Sequence, residues 1–137
     1  YELSRIWSES PKITFIMLNP SVGNETCDDK TIKRLIFFTK KFGYGGFYVG
    51  NIFPNINTKV NDLYLDLSHD KKKNRKHVSS MIDKSESVVY AWGKTIDKPP
   101  NWIDKIVHKP LCFGFNKDGT PMLPLYLIKS TSLISFR

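Results

Sequence analysis

The strongest constraint on the fold is the stretch Lys12 to Ser21, which reads Lys-Ile-Thr-Phe-Ile-Met-Leu-Asn-Pro-Ser. Ile13, Phe15, Ile16, Met17 and Leu18 make a nearly continuous apolar run. Such a run suits a strand covered on both faces, as in a parallel sheet. Pro20 ends that strand, because proline has no N–H to give to the ladder. Asn19 therefore sits at the carboxyl end, the edge where open α/β sheets bind ligands. Two readings are open for it: a site residue, or a turn residue that caps its own backbone before Pro20.

The rest of the chain alternates around this strand. Tyr1 to Pro11 reads as an edge strand or a wrapping arm, and Ser21 to Cys27 as a polar loop. Asp28 or Asp29 is expected to cap a helix. From Lys30 on, Ile32, Leu35, Ile36, Phe38 and Phe42 recur at helical spacing, and Gly43, Gly45 and Gly46 stop that helix. Phe47–Phe53 reads as a second strand, and Pro54 to Asn57 as its turn-rich exit. Leu63, Leu65 and Leu67 alternate with polar residues over too short a stretch to assign. Ser68–Ser85 reads as a helix that begins very basic, with Lys71, Lys72, Lys73, Arg75, Lys76 and His77. Ser87–Trp92 is a third strand, Asn101–His108 a short helix, and Leu111–Phe115 a fourth strand. Asn116 to Gly119 is a turn, and Pro121 and Pro124 keep the next segment extended. Ile128 to Arg137 shows no clear period. The alternation predicts one domain over residues 1–137. Its expected architecture is a three-layer α/β/α sandwich around a mostly parallel four-stranded sheet.

Composition narrows the function. The chain has 137 residues, of which 40% are hydrophobic, and no stretch is long and apolar enough for a membrane span. No signal-peptide pattern is visible. The first residue is Tyr1, not Met, so some N-terminal sequence is expected to be missing. Cys27 and Cys112 are far apart and lack metal-type spacing, which predicts reduced thiols in a cytoplasmic protein. His69, His77 and His108 likewise form no ligand spacing, so no metal and no cofactor are expected. The net charge of +8 favours a polyanionic partner, most simply nucleic acid.

Polar or special residues gather at the strand ends. The first strand ends in Asn19-Pro20-Ser21, the second carries Asn51, and the third ends in Trp92-Gly93-Lys94. In a parallel sheet these ends share one edge. An asparagine there can hold a water or read an amide-like edge, because it has both a donor and an acceptor. Asn51 is disfavoured in a buried strand unless it has a partner. Trp92, taken alone, reads as core packing. Gly43-Tyr44-Gly45-Gly46 precedes a strand, whereas a dinucleotide-binding loop follows one. No nucleophile elbow is present.

These signatures resemble the uracil-DNA glycosylase superfamily. Met17-Leu18-Asn19-Pro20-Ser21 is similar to the asparagine form of its first motif. Val49-Gly50-Asn51-Ile52 is similar to its asparagine-bearing second strand, and Val89 to Lys94 to its later strand and turn. Leu123-Pro124-Leu125 stands where that superfamily has His-Pro-Ser. The whole chain also resembles a bacterial family of unknown function often carried on mobile genetic elements. The shared phrases lie at Phe15–Ser21, Asp28–Ile32, Gly43–Gly46, Ala91–Gly93 and Lys117–Pro121.

The resemblance implies a uracil-DNA glycosylase-like fold and a monomer that excises uracil from single- or double-stranded DNA in base excision repair. The base is flipped out and the glycosidic bond is attacked by water. Asn19 would orient the water. Met17, Leu18, Pro20, Ser21, Asn51 and Trp92 would form the base pocket, with Asn51 pairing to the uracil amide edge. Phe37, Phe38 and Trp92 are candidates to stack on the base. Leu123, Leu125 and Tyr126 would wedge the gap, and Lys94 and Lys117 (or Lys71 to Lys76) would grip phosphates. Leu123 is a departure, since it cannot donate to the departing uracil as the histidine does. Loss of such a donor costs roughly 10²–10³ in rate, so a weak glycosylase is expected. The alternatives are a DNA-binding relative without catalysis, and a small-molecule α/β enzyme with an incidental basic surface.

Overall fold

The computed structural model describes the backbone of residues 3–18, 25–52 and 67–137, with side chains except at 25–29, 67–71 and 95. In chain order the elements are β1 (Leu3–Ile6), β2 (Ile13–Met17), α1 (Glu25–Lys41), β3 (Gly46–Asn51), α2 (Leu67–Asp83), β4 (Ser87–Tyr90), a 3₁₀ turn at Gly93–Thr95, α3 (Asn101–Asp104), β5 (Leu111–Cys112) and β6 (Ile134–Ser135). They build one six-stranded sheet in the order β1-β3-β2-β4-β5-β6.

The sheet is mixed. β2 pairs in parallel with β3 and with β4, and β4 pairs in parallel with β5. Both edges are antiparallel: β1 runs against β3, and β6 against β5. The expectation of a four-stranded, mostly parallel sheet is thus corrected to six strands of mixed direction. The reason is local. Leu3–Ile6, in the stretch read as an edge strand or a wrapping arm, does join the sheet as a half-exposed edge strand, and Ile134–Ser135 is an exposed two-residue strand with no apolar run or alternation to mark it.

All five residues of β2 are buried, as a strand with a neighbour on each side and cover on both faces requires. Alternation along the strands sends Ile13, Phe15, Met17, Phe47, Val49 and Val89 to one face, where Leu35 and Phe38 of α1 and Phe113 complete a core. Ile16, Val88, Tyr90 and Trp92 point to the other face and pack with Val78 and Ile82 of α2, with Ile103 and with Val107. Gly50 lets α2 lie close: a Cβ there would stand 3.0 Å from Ile16 Cδ1 and 3.3 Å from Val78 Cγ1. Thr14, the polar member of β2, donates or accepts with Ser85 Oγ at 2.6 Å and lies 3.2 Å from the Met81 carbonyl. Its hydroxyl therefore ties β2 to the end of α2.

Other boundaries also differ from expectation. α1 starts at Glu25, so Asp28 and Asp29 lie inside the helix and do not cap it. The helix read over Asn101–His108 is a single turn, Asn101–Asp104. The strand read over Leu111–Phe115 ends at Cys112, because Gly114 takes φ +136° and Phe115 turns back to bridge Pro121. Asn19, Pro20 and Ser21, Pro54 to Asn57, Leu63 and Leu65 lie outside the described residues.

Candidate functional site

The parallel register defines the edge on which a site can form. Met17 and Asn51 are paired residues at the ends of β2 and β3, and the chain leaves β4 through Ala91, Trp92 and the Gly93 turn. The Ile52 N–H donates to Met17 O at 2.9 Å and the Ala91 N–H to Ile16 O at 2.9 Å, so the three exits stay together past the strands. Leu18, the last described residue before Asn19, is half-buried and packs beside the α2-side core.

Asn51 is half-buried, and alternation puts its side chain on the α1 side with Phe47 and Val49. Its backbone carbonyl accepts a 2.9 Å hydrogen bond from Asn74 Nδ2 of α2. This bond fixes the carboxyl end of β3 and the early turns of α2 to each other. Trp92 is only 1% exposed, and its indole N–H donates to the Ile96 carbonyl at 3.3 Å. It belongs to an aromatic group with Tyr90 and Phe136. Phe38 is fully buried in the α1-side core, and Phe37 is covered by the Lys129 ammonium, 5.4 Å from its ring centre.

The Leu123 segment reaches the same edge. Gly93 has φ +78°, a left-handed conformation that glycine adopts without cost. Its N–H donates to Pro121 O at 2.9 Å, and a Cβ at that position would stand 2.9 Å from Leu123 Cγ. Leu123 thus packs on the turn after β4 and remains 45% exposed, while Tyr126 is 89% exposed. Leu125 is half-buried. The segment is held from behind by Arg34 of α1, whose Nε donates to Leu125 O at 3.0 Å and Nη2 to Leu127 O at 2.6 Å. Lys41 Nζ, one helix end further, donates to the carbonyls of Lys129 and Thr131.

Lys94 and Lys117 are both exposed, and Lys94 lies near enough to Asp118, the neighbour of Lys117 in sequence, for its charge to act there. Asp118 accepts from the Thr120 hydroxyl and from its N–H, which holds the Asp118 carboxyl below its ordinary value, with the nearby Lys94 charge adding to the effect. Among the described residues no group of three His, Cys, Asp or Glu side chains converges on a metal position. Cys112 is free and buried, and that burial pushes its thiol pKa up. No helix among the described residues is long and apolar enough to cross a membrane.

Two residues that organise this edge escaped sequence reasoning. Arg34 sits within the apolar periodicity of α1, between Lys33 and Leu35, where it reads as a solvated charge. Asn74 carried a signal: it is in phase with Val78, Met81 and Ile82, so a polar group faced the protein from a helix otherwise marked by lysines.

No curated protein and no solved structure matches the chain. A family model does match, over residues 1–125, and its description is Protein of unknown function (DUF1643). The match spans most of the chain, and the chain therefore belongs to the DUF1643 family.

Proposed function

We propose that this protein is a weak DNA N-glycosylase of the uracil-DNA glycosylase type, with its site on the carboxyl edge of the parallel strands. The observation that carries the reading is the pairing of Met17 with Asn51, beside a Gly93 turn on which Leu123 packs. Described residues of all four motif segments are thereby neighbours on one edge, and the first segment leads directly into Asn19. In this reading a uracil flipped from DNA enters that edge. Water adds to the sugar C1′ as the N-glycosidic bond breaks, the bonding pair leaves with the uracil ring, and the water's proton passes to solvent. Asn19 orients the water. The Asn51 side-chain amide reads the uracil edge with one donor and one acceptor. The exposed Leu123 and Tyr126 enter the gap left in the stack. A polyanionic partner agrees with the net charge of +8.

A second reading, a DNA-binding relative without catalysis, is favoured by two observations. Leu123 has no hydrogen to give to the departing uracil, and the Trp92 ring is closed off in the core.

An end-labelled oligonucleotide with one uracil separates the two. Alkali-sensitive breakage at the uracil, lost in Asn19→Ala and increased in Leu123→His, is the outcome expected of the enzyme. Retarded migration with no breakage for any variant gives the binder. Neither breakage nor retardation, on single or double strands, removes both.

A further inference from the structure

We propose that the outward face of α2 is a docking track for the phosphate backbone of DNA. The track runs from the carboxyl edge of the sheet along the helix. The inference rests on the DNA-partner part of the reading above and is independent of whether uracil is excised.

Lys72, Lys73, Arg75 and Lys76 are all exposed. They line an open cleft of about 850 Å³ together with Ser79 and Ser80. The carboxylate on its described lining, Asp83, stands two turns beyond Lys76. Among the described residues none of the four cations is in an ion pair; Arg137–Asp104 is the pair found there. Four like charges within five positions repel one another along the helix, since Lys72 faces both Arg75 and Lys76 at helical spacing. They occupy the middle of the helix, while its last turn, where the dipole favours cations, holds no basic residue. Nothing in α2 itself therefore benefits from this arrangement, and a polyanion seated on it relieves the repulsion.

Placement supports the same occupant. Asn74, in the middle of the cationic turn, holds the Asn51 carbonyl at 2.9 Å, so the charges flank the edge where the candidate site lies. The Arg75 guanidinium rests 5.3 Å from the centre of the Trp102 ring. A guanidinium held against a ring face still has N–H donors to offer a phosphate. The serine hydroxyls one turn on are neutral donors of the kind that complete phosphate contacts.

The test is the salt dependence of binding, read by fluorescence anisotropy. The probes are a uracil-free labelled duplex of 25 base pairs and its single strand. The variant K72Q/K73Q/K76Q keeps Arg75 on Trp102 and changes only exposed side chains, and its fold is checked by circular dichroism and thermal melting. The slope of log affinity against log salt should lose about one unit per lysine, and affinity in 0.1 M salt should fall roughly 10²-fold. K105Q/K109Q, which removes two exposed lysines elsewhere, should keep the wild-type slope. A triple variant that binds with the wild-type slope overturns the track, whether or not the protein excises uracil. So does an equal loss of slope in K105Q/K109Q, because the effect would then be one of net charge. Wild-type protein that binds neither probe removes the track and the DNA reading together. Binding that behaves as expected without any excision leaves the track standing and removes only the catalytic reading.

Discussion

α1 and α2 are both helices of 17 residues, cover opposite faces of one sheet, and use their positive charge in opposite ways. α1 carries Lys40 and Lys41 in its last turn, where the dipole favours cations. Lys41 and Arg34 spend their N–H groups on four backbone carbonyls between Leu125 and Thr131. α2 gathers its basic residues in its middle, has none in the last turn, and sets Lys72, Lys73 and Lys76 on an open cleft. The inward residues of the two helices are alike, since Leu35 and Phe38 do for one face what Val78 and Ile82 do for the other. The difference lies in the polar surface. On α1, Arg34 and Lys41 are tied to backbone carbonyls, and on α2, Lys72, Lys73 and Lys76 make no ion pair among the described residues.

That contrast makes the same type of substitution have opposite consequences on the two helices. The largest effect is expected for Arg34→Met, which removes two charge-assisted bonds and leaves the Leu125 and Leu127 carbonyls without a donor. A loss of about 2–3 kcal/mol in urea unfolding is expected. A loss below half of that would mean that the segment holds itself and that α1 is no clamp. Next comes Tyr90→Phe, on the α2 side. The Tyr90 hydroxyl donates to Asp104 Oδ1 at 2.9 Å, and Asp104 also accepts from Arg137. Because Asp104 keeps Arg137, the cost should be about 1–1.5 kcal/mol at neutral pH.

The same tyrosine gives a pH signature. Burial raises its pKa, and the bond to Asp104 and that carboxylate's charge raise it further. The folded value lies above the unfolded value of about 10, so the folded state favours the neutral phenol. That stability is fully present below about pH 10 and is lost as pH rises toward the folded value. Wild-type stability measured from pH 8 to 11 should therefore fall more steeply than that of Tyr90→Phe, and parallel curves would contradict the assignment.

Asn74→Ala should cost about 1 kcal/mol, the price of leaving the Asn51 carbonyl without its donor. It should also weaken DNA binding through misplacement of the cationic turn, with the salt slope unchanged. An altered slope would mean that Asn74 acts through charge and not through position. The smallest change is K72Q/K73Q/K76Q. Relief of like-charge neighbours at helical spacing should raise stability by a few tenths of a kcal/mol. If that variant melts well below wild type, its lysines are structural, and the contrast between the helices collapses.

The parts of this design legible in the sequence are those written in long apolar patterns. The run from Ile13 to Leu18 marks a strand enclosed on both sides, and Leu35, Phe38, Val78 and Ile82 keep helical spacing to the sheet. The edge at Leu3–Ile6 was open between a strand and an arm, and that at Ile134–Ser135 was illegible, because each takes its conformation from a partner strand, Gly46–Val49 for one and Leu111–Cys112 for the other. A two-residue exposed strand has no period to read. Asn51 was legible as a strand residue needing a partner, though the bond from Asn74 goes to its backbone and not its side chain. Trp92 looks in sequence like a motif residue, and its ring lies among Tyr90, Phe136 and Ile103. The function of Arg34 could not be read from helical spacing, because its acceptors lie more than ninety residues further along the chain.

That distance has a kinetic meaning. The bonds from Arg34 and Lys41 close loops of 88 to 93 residues, and β6 reaches β5 only through the last few residues of the chain. Contacts this far apart in sequence are slow to find, since loop entropy is lost before they give anything back. While the polypeptide is being made, α1 can already lie on β2 and β3, with its arginine and lysine still solvated. The segment from Leu123 onward can dock only after α1 has been made, through the bonds from Arg34 and Lys41. The long-range contacts that seat this segment are therefore also those that bring Leu123 and Tyr126 to the carboxyl edge of the sheet.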